Sequence, residues 1–373
     1  MRLAIGIDLH KMKAVAHAVY AGDGEAPERY RNFIDSFNRE FSNSGSEPED
    51  VATMADFLKG HEAHILIENS SKTHETYWVL VNRGLNVTVA FAADLYRITK
   101  SVKKTDKNDA IELAGYMRRR LDGENEFAAC TMPTREWMMR REMCRAVFNE
   151  KMHLADLKRR TRSHLLVHGI KLSREYGDIF CKKAIAELLD SKDPCLRVFV
   201  SEAVALKKRT DEEAKYIQIM FANVRMFELI YSIPGFGLVS AAYITAMMMD
   251  ISRFENSKKF TAYFGIVPKM RESADSSPRC ATTHRGDEDA RRIICQAANV
   301  HIRTVEESFV SIAYRRLRGA GKAHKEALVA CGRMLMTVVY SVVRNNRPYT
   351  TDRAILDRAI ETEAEMEDEL GTV

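Results

Sequence analysis

The first 120 residues alternate between short apolar runs and helical patterns. Residues 3–9 and 14–20 are apolar stretches of strand length separated by four residues, and they predict a β-hairpin. A poorer pattern at 30–41 suggests a third strand. The remaining patterns predict two more strands, at 64–69 and 86–91, and three helices, at 46–59, at 72–83 and from 106 onward. In this order, strands come first and later strands alternate with helices, which is typical of an α/β sheet domain.

Two of these helices have recognisable start signals. Ser46 and Glu49 have the spacing of a capping box. Thr105 precedes an apolar-periodic run and is the expected N-cap of the third helix. Asp106 and Asp109 then share one face of its first turn, because residues three apart on a helix are neighbours. Acidic side chains interact favourably with the helix dipole at a helix N-terminus, and this effect would by itself explain an acidic first turn.

The middle of the chain predicts long, polar helices. Residues 134–169 form one of them, with an irregular apolar stripe, and part of 187–220 forms a second. Two helices of this length with many charged residues indicate an antiparallel coiled-coil arm or a dimerisation element. A plain helical linker has the same pattern. Three arginines would give this arm a phosphate-facing patch: Arg159, Arg160 and Arg162.

A glycine-containing turn follows the arm. In the run I-P-G-F-G, Gly235 and Gly237 let the backbone turn tightly before a helix that begins near Leu238. Free amides at that helix start would suit an anion, so the segment resembles a DNA-binding helix-hairpin-helix. An ordinary turn between two helices is the structural alternative.

Composition narrows the class of protein. The chain has 373 residues, of which 46% are hydrophobic, so several globular cores are possible. Its seven cysteines include no C-x-x-C pair, which argues against a zinc ribbon or a disulfide framework. No N-terminal signal pattern or membrane-length apolar run is evident, and we expect a cytoplasmic protein with no membrane partner.

Charge is unevenly distributed along the chain. Residues 97–183 contain 21 Lys and Arg against 12 Asp and Glu, whereas residues 351–373 contain eight acids and two bases. This asymmetry favours nucleic-acid contact along the middle of the chain and a solvated or autoregulatory acidic end. Solvated helix faces would produce the same counts.

Two further acids lie at strand positions. Asp8 interrupts an otherwise apolar strand, where an unpaired charge is costly, and Glu68 lies near the end of a buried strand. With Asp106 and Asp109 they fall where ligands bind α/β sheets. Lysines surround the second pair, at 100, 103, 104 and 107. Carboxylates that gather Mg²⁺ or Mn²⁺ beside a basic surface suggest chemistry on a phosphate backbone.

Three motifs in order, G-I-D-L-H-K, L-I-E-N-S and K-T-D-K-N-D-A, resemble the DEDD transposases of the insertion-sequence-110 family, relatives of the pilin-gene invertases. The resemblance implies a RuvC-like, RNase H type mixed-sheet domain. It also implies that the DEDD acids, Asp8, Glu68, Asp106 and Asp109, bind metal and are catalytic. Lys103, Lys104 and Lys107 would then contact nucleic acid.

The C-terminal part resembles the transposase domain of the same family. Its pattern includes Y-x-G-h-x-P, a serine five residues after the proline, and a basic helix start. The matching nucleophile is Ser273, although Ala274 stands where the family has glycine. Ser276 and Ser277 are alternatives. Arg285 and Arg291 are the expected nucleic-acid contacts of this domain.

The expected fold is therefore α/β plus α, in four parts: a RuvC-like domain (1–128), a helical coiled-coil arm (129–222), a mostly helical transposase domain (223–347) and an acidic tail (348–373). The expected function is a transposase or site-specific recombinase acting on DNA. The resemblance further implies a structured guide (bridge) RNA and a homo-oligomer, dimer or tetramer. A RuvC-like nuclease or junction resolvase without a covalent intermediate is the alternative, and a catalytically dead binding protein is disfavoured because all four acids are present.

Overall fold

A computed structural model describes residues 2–95, 105–266 and 286–350. Within these residues the chain forms five β-strands and thirteen α-helices. It divides into two compact units, with the boundary after Thr134. The expected combination of a mixed-sheet domain with a largely helical remainder is confirmed at this level.

The N-terminal unit is built on one five-stranded mixed sheet in the order β3-β2-β1-β4-β5. The hairpin of β1 and β2 is antiparallel, as is the short β3 beside β2, whereas β4 and β5 run parallel to β1. The strands are β1 (Arg2–Leu9), β2 (Lys13–Tyr20), β3 (Ser44–Gly45), β4 (Glu62–Glu68) and β5 (Asn86–Ala90).

Helices cover both faces of this sheet. Odd-numbered β1 residues such as Ile5 pack with Phe37, Met54 and Leu80, which belong to the first three helices. Even-numbered positions face the opposite side, because successive side chains of a strand alternate. There Ala4 packs with side chains of the fourth helix. The helices are α1 (Glu28–Glu40), α2 (Pro48–Phe57), α3 (Thr73–Val81) and α4 (Asp106–Leu121).

Two local predictions in this unit are wrong. The third strand expected at 30–41 is helix α1, whose apolar residues recur at helical spacing and bury Phe37 completely. The capping box uses Glu47 and Asp50 instead of Ser46 and Glu49. Ser46 is buried, and its hydroxyl donates to the carbonyl of Lys11, so it is not available to cap the helix.

The second unit begins with two long helices. The helix expected at 134–169 is confirmed as α5 (Arg135–Val167). The other predicted helical segment is divided into α6 (Lys182–Asp190) and α7 (Pro194–Phe221), because a proline opens α7 and Asp193 caps it. Arg140, early in α5, donates to Met220 late in α7, whereas His164 late in α5 contacts Asp193. The two long helices therefore run antiparallel.

Six shorter helices complete this unit: α8 (Arg225–Tyr231), α9 (Leu238–Met248), α10 (Ser257–Tyr263), α11 (Glu288–Thr304), α12 (Phe309–Gly319) and α13 (His324–Arg344). They share one large core with the adjoining ends of α5 and α7. A smaller core joins the distal ends of those two helices around Leu157 and Leu196. Among the described residues, α13 alone has the length and composition of a membrane span, and more than half of its apolar window is buried.

Candidate functional site

Helix α4 starts as the sequence predicts. The Thr105 hydroxyl accepts a hydrogen bond from the Asn108 amide at 3.3 Å, so Thr105 is the N-cap. This cap places Asp106 and Asp109 in the first helical turn, where Asp106 is partly exposed and Asp109 is buried. The two carboxylates therefore lie at the end of α4 that approaches the sheet's ligand-binding edge.

Gly6 in β1 brings α4 unusually close to the sheet. A Cβ atom on this residue would lie 2.2 Å from the carbonyl oxygen of Ala110 and 2.4 Å from the amide nitrogen of Ala114. Both are backbone atoms, which cannot rotate away. The glycine therefore sets how closely the start of α4 can approach the end of β1.

Asp8 and Glu68 lie side by side at the ends of neighbouring strands. Ile7 pairs with Ile67 in the parallel register, so the next residue of each strand is adjacent to that of the other. Ala4 of β1 and Leu66 of β4 face α4. Asp8 lies four residues after Ala4, and Glu68 lies two residues after Leu66. Because side chains two or four residues apart in a strand point to the same face, Asp8 and Glu68 also face α4. The fold thus places all four predicted acids on the α4 side of the sheet.

His10 and Lys13, which sequence reasoning assigned only to a hairpin turn, are part of this cluster. The Nε2 atom of His10 lies 3.1 Å from Oδ2 of Asp8 and 3.2 Å from Oδ1 of Asp106. Lys13 forms an ion pair with the other oxygen of Asp106. The signal that could have revealed His10 is its place in the first motif, two residues after Asp8, whereas Lys13 lies two residues beyond the end of that motif.

The electrostatics of the cluster reflect crowded negative charge. Burial raises the pKa of Asp8, and the charges of Asp109 and Asp106 raise it further against the opposing effect of His10. The hydrogen bond from Lys13 is the main reason why the pKa of Asp106 is lowered. Asp8 therefore lies in surroundings that would favour added positive charge.

The donor set fits a hard divalent cation. Ligand atoms of Asp8, His10 and Asp106 all lie within 4.8 Å of one another. Carboxylate oxygens are preferred ligands of Mg²⁺ and Mn²⁺, and an imidazole nitrogen is also acceptable to transition metals such as Mn²⁺. Bringing these groups together depends on the hairpin, on Gly6 and on the cap of α4.

Basic residues near the cluster are only partly described. Lys107 is exposed in the first turn of α4. Burial lowers the pKa of His17 in β2, and the positive charge of Lys107 lowers it further, so the lysine acts over the same face of the sheet. Lys103 and Lys104 lie outside the described residues.

The three arginines of the arm are exposed on α5. Arg159 forms an ion pair with Asp156, and Arg162 donates to the Gly177 carbonyl at 2.9 Å. Two of the three predicted phosphate contacts therefore also have partners within the chain. Arg160 lies beside them on the same helix.

The I-P-G-F-G turn connects α8 to α9. Gly235 has a φ of +109°, and a Cβ there would lie 2.3 Å from the carbonyl oxygen of Ala297 in α11. The buried His301 fixes this turn, with Nδ1 2.7 Å from the Pro234 carbonyl. Gly237 precedes α9, and among the described residues no side chain caps its first amides. The motif thus packs within the core, and it also precedes a helix whose N-terminal amides are suited to binding an anion.

Asp287, which sequence reasoning did not single out, organises the start of α11. It caps the helix through the Ala290 amide, accepts a hydrogen bond from Tyr243 at 2.9 Å, and pairs with Arg145 of α5 at 2.6 Å. Its burial would raise its pKa, but these donors lower it overall. Arg291 lies one turn into α11 and donates to the Gly286 carbonyl.

Three predicted features of this region lie outside the described residues. They are the nucleophile Ser273 with its alternatives Ser276 and Ser277, the basic Arg285, and the acidic tail after residue 350. Nearby Gly286 has a φ of +95° and packs on the backbone of Gly265. Gly265 and Gly286, which are described residues on either side of this segment, therefore lie close together.

Comparisons with known proteins match part of the second unit. Residues 227–310, from α8 into α12, match the family model of the transposase IS116/IS110/IS902 family. Over this segment the chain is similar to the IS110-type transposases. The predicted family resemblance is confirmed, and this match covers the serine region but not the three N-terminal motifs.

Individual relatives are similar to this chain at low identity. The chain is 29% identical over 149 residues to the insertion element IS900 uncharacterized 42 kDa protein of Mycobacterium paratuberculosis, and 26% identical over 122 residues to the pilin gene-inverting protein of Moraxella lacunata. These matches cover 40% and 32% of this chain, and only 37% and 38% of those proteins. The y4qE protein of Sinorhizobium fredii is 20% identical in an alignment that covers 93% of this chain and 90% of that protein.

Proposed function

We propose that this protein is a DNA transposase or site-specific recombinase of an insertion element, which cuts and rejoins DNA. The observation that carries the proposal is the convergence of Asp8 and Asp106 around His10, with Asp109 and Glu68 on the same face of the sheet. The match at 227–310 to the transposase family supports it independently. In this proposal the sheet domain is RuvC-like.

The four acids hold the metal in this proposal. Mg²⁺ or Mn²⁺, when bound, neutralises the carboxylates and supplies an electrophilic centre for phosphodiester chemistry. Asp106 and Asp109 are fixed by the α4 cap, and Asp8 by the β1 register with β4. His10 and Lys13 offset the mutual repulsion of the acids and keep Asp8 and Asp106 turned toward each other.

Ser273 is the proposed nucleophile. Its oxygen forms a bond to the DNA phosphorus while the bond from phosphorus to one sugar oxygen breaks. The serine proton leaves, and the released sugar oxygen gains a proton. A phosphoserine link keeps the phosphodiester energy for rejoining, whereas attack by water would lose it.

The proposed DNA interface consists of basic and helix-terminal groups in both units. It comprises Lys103, Lys104, Lys107, Arg159, Arg160, Arg162, Gly235, Gly237, Arg285 and Arg291. The α9 start supports the role given to Gly237, because amides without a side-chain cap can face a phosphate. By analogy with the family, we further propose a structured guide RNA, a homo-oligomeric assembly of two or four chains, and action in the cytoplasm.

The experiment that tests this function looks for the covalent link. The protein is incubated with labelled element-junction DNA, Mg²⁺ and RNA transcribed from the sequence that flanks its gene, and is then denatured. DNA-linked protein should be seen by gel, map to the peptide containing Ser273 by mass spectrometry, and vanish in Ser273→Ala. Asp106→Asn and Asp109→Asn should abolish cleavage, as should EDTA.

The contrary outcomes separate the alternatives. Cleavage without an adduct, retained in Ser273→Ala, would favour the nuclease or junction-resolvase reading. An adduct on Ser276 or Ser277 would keep the mechanism and move the nucleophile. Full activity in EDTA would contradict the metal role of the carboxylates.

A further inference from the structure

A second group of metal-ligating side chains lies in the helical unit, at the distal end of the arm. His164, near the end of α5, lies beside Asp193 and Cys195, at the start of α7. One ligand atom from each of these three residues lies within 4.8 Å of the other two. None of them belongs to the carboxylate cluster or to the proposed DNA interface.

We propose that His164, His168, Asp193 and Cys195 bind one Zn²⁺ ion. An imidazole nitrogen, a carboxylate oxygen and a thiolate sulfur together form a donor set that suits zinc, whereas Mg²⁺ prefers oxygen donors alone. The site therefore differs in ligand chemistry from the predicted Mg²⁺ or Mn²⁺ site of the N-terminal unit.

The spacing of the donors is close to what zinc requires. With bonds of about 2.0 to 2.3 Å, a tetrahedral zinc ion holds its ligand atoms about 3.3 to 3.8 Å apart. The Nε2 atom of His164 and the Oδ2 atom of Asp193 are 3.1 Å apart. Small side-chain rotations would open this pair around an ion. Cys195 is exposed and has freedom to turn its sulfur inward.

Asp193 can serve the helix and the metal at once. Its Oδ1 atom accepts the Leu196 amide at 3.0 Å and so caps α7, whereas its Oδ2 atom faces His164. The capping hydrogen bond is the main cause of the lowered pKa of Asp193, and the hydrogen bond with His164 lowers it further. The carboxylate is thus fixed in position and presents its second oxygen to the cluster.

His168 supplies the fourth ligand. It follows His164 by four residues, so the two side chains lie on one face of the helical path. Their ring centroids are 4.2 Å apart. Because His168 is exposed, its ring can rotate without disturbing the core. Four protein ligands close the coordination sphere, which is typical of a structural zinc site and not of a catalytic one.

Such a site would fasten the tip of the arm. It joins the end of α5 to the start of α7 across the segment that contains α6, next to the small core around Leu157 and Leu196. Binding energy at a site formed only in the folded arm adds to the stability of that arm. The arm would therefore keep its helices in register independently of any DNA chemistry.

The test uses the full chain, with Co²⁺ as a spectroscopic substitute for Zn²⁺ and with Mg²⁺ in excess to occupy the carboxylate site. A thiolate-to-cobalt charge-transfer band should grow to one equivalent of Co²⁺ and be displaced by Zn²⁺. Cys195→Ser should abolish the band, and His168→Ala should weaken Co²⁺ binding by about tenfold or more. Cys181→Ser is the matched control, since Cys181 lies in the same arm outside the cluster.

Thiol reactivity gives a second readout that does not need a folded variant. Zn²⁺ should slow alkylation of Cys195 in the wild-type protein by about tenfold or more, because a metal-bound thiolate is shielded, and should leave Cys181 unaffected. The proposal is overturned if no thiolate band forms, if the band survives in Cys195→Ser, or if Zn²⁺ leaves the alkylation rate of Cys195 unchanged. These measurements do not use DNA cleavage, so they test the zinc site separately from the proposed transposase function.

Discussion

Replacing Gly6 by alanine should separate the two halves of the carboxylate cluster without removing any of its ligands. The new Cβ atom would lie 2.2 Å from the Ala110 oxygen and 2.5 Å from Cβ of Leu113. Non-bonded atoms in good contact lie about 3.5 Å apart, so α4 must retreat from β1 by about 1 Å. That movement would carry Asp106 and Asp109 away from Asp8.

The expected cost has two measurable parts. Overpacking of this kind destabilises a domain by about 1–3 kcal/mol. A shift of about 1 Å in catalytic groups lowers activity by about a hundredfold. We therefore expect Gly6→Ala to remain folded, with weaker Mn²⁺ binding and strongly reduced DNA cleavage. Stability is measured by urea unfolding followed through Trp78, Mn²⁺ binding by electron paramagnetic resonance, and cleavage on junction DNA.

Gly115→Ala is the matched control. This glycine lies in α4, and a Cβ there would meet only the flexible end of Arg119, at 3.2 Å. Alanine favours a helix interior over glycine by about 1 kcal/mol, so this variant should be at least as stable as the wild type and fully active. Wild-type stability and Mn²⁺ affinity in Gly6→Ala would refute the argument that this glycine sets the geometry of the cluster.

Two further predictions concern the basic segment and the buried histidine. Neutralising Lys103, Lys104 and Lys107 should weaken DNA binding on all sequences and reduce the slope of log affinity against log salt by about one for each lost phosphate contact; an unchanged slope would assign these lysines to a solvated surface. Burial lowers the pKa of His301, so the folded state takes up its proton less readily than the unfolded state. The resulting stability is present above the ordinary histidine pKa of about 6.5 and is lost below it, by up to about 1.4 kcal/mol per pH unit. Urea unfolding of the C-terminal unit, followed through Trp137 in a Trp78→Phe background, should therefore depend less on pH in His301→Gln, and an equal dependence would contradict this explanation.

The sequence alone determined the features that depend on near neighbours in the chain. The apolar runs of β1, β2, β4 and β5 and the Thr105 cap are local patterns, and the structure has them within one or two residues of the predicted positions. The long helix α5 was predictable for the same reason. The positions of the four acids followed from these elements, because strand ends and helix starts are readable from periodicity and caps.

The two wrong predictions in the N-terminal unit, the strand at 30–41 and the Ser46 cap, also have local causes. At 30–41 a helical spacing of aromatic residues was mistaken for a strand, since a short segment with mixed polarity fits either period poorly. Ser46 had the right residue type for a cap. Only the fold shows that its hydroxyl is buried against the Lys11 carbonyl, which leaves Glu47 to cap the helix.

Tertiary structure alone decided which charges meet. Lys13 and Asp106 are 93 residues apart in the chain, and Arg145 and Asp287 are separated by 142. No periodicity connects such pairs, because their contact depends on strand register and helix packing. The same holds for the pairing of His164 with Asp193 across the arm. The sequence specifies the elements and their chemical groups, whereas the approach of α4 to Gly6 and the antiparallel pairing of α5 with α7 determine which of those groups lie together.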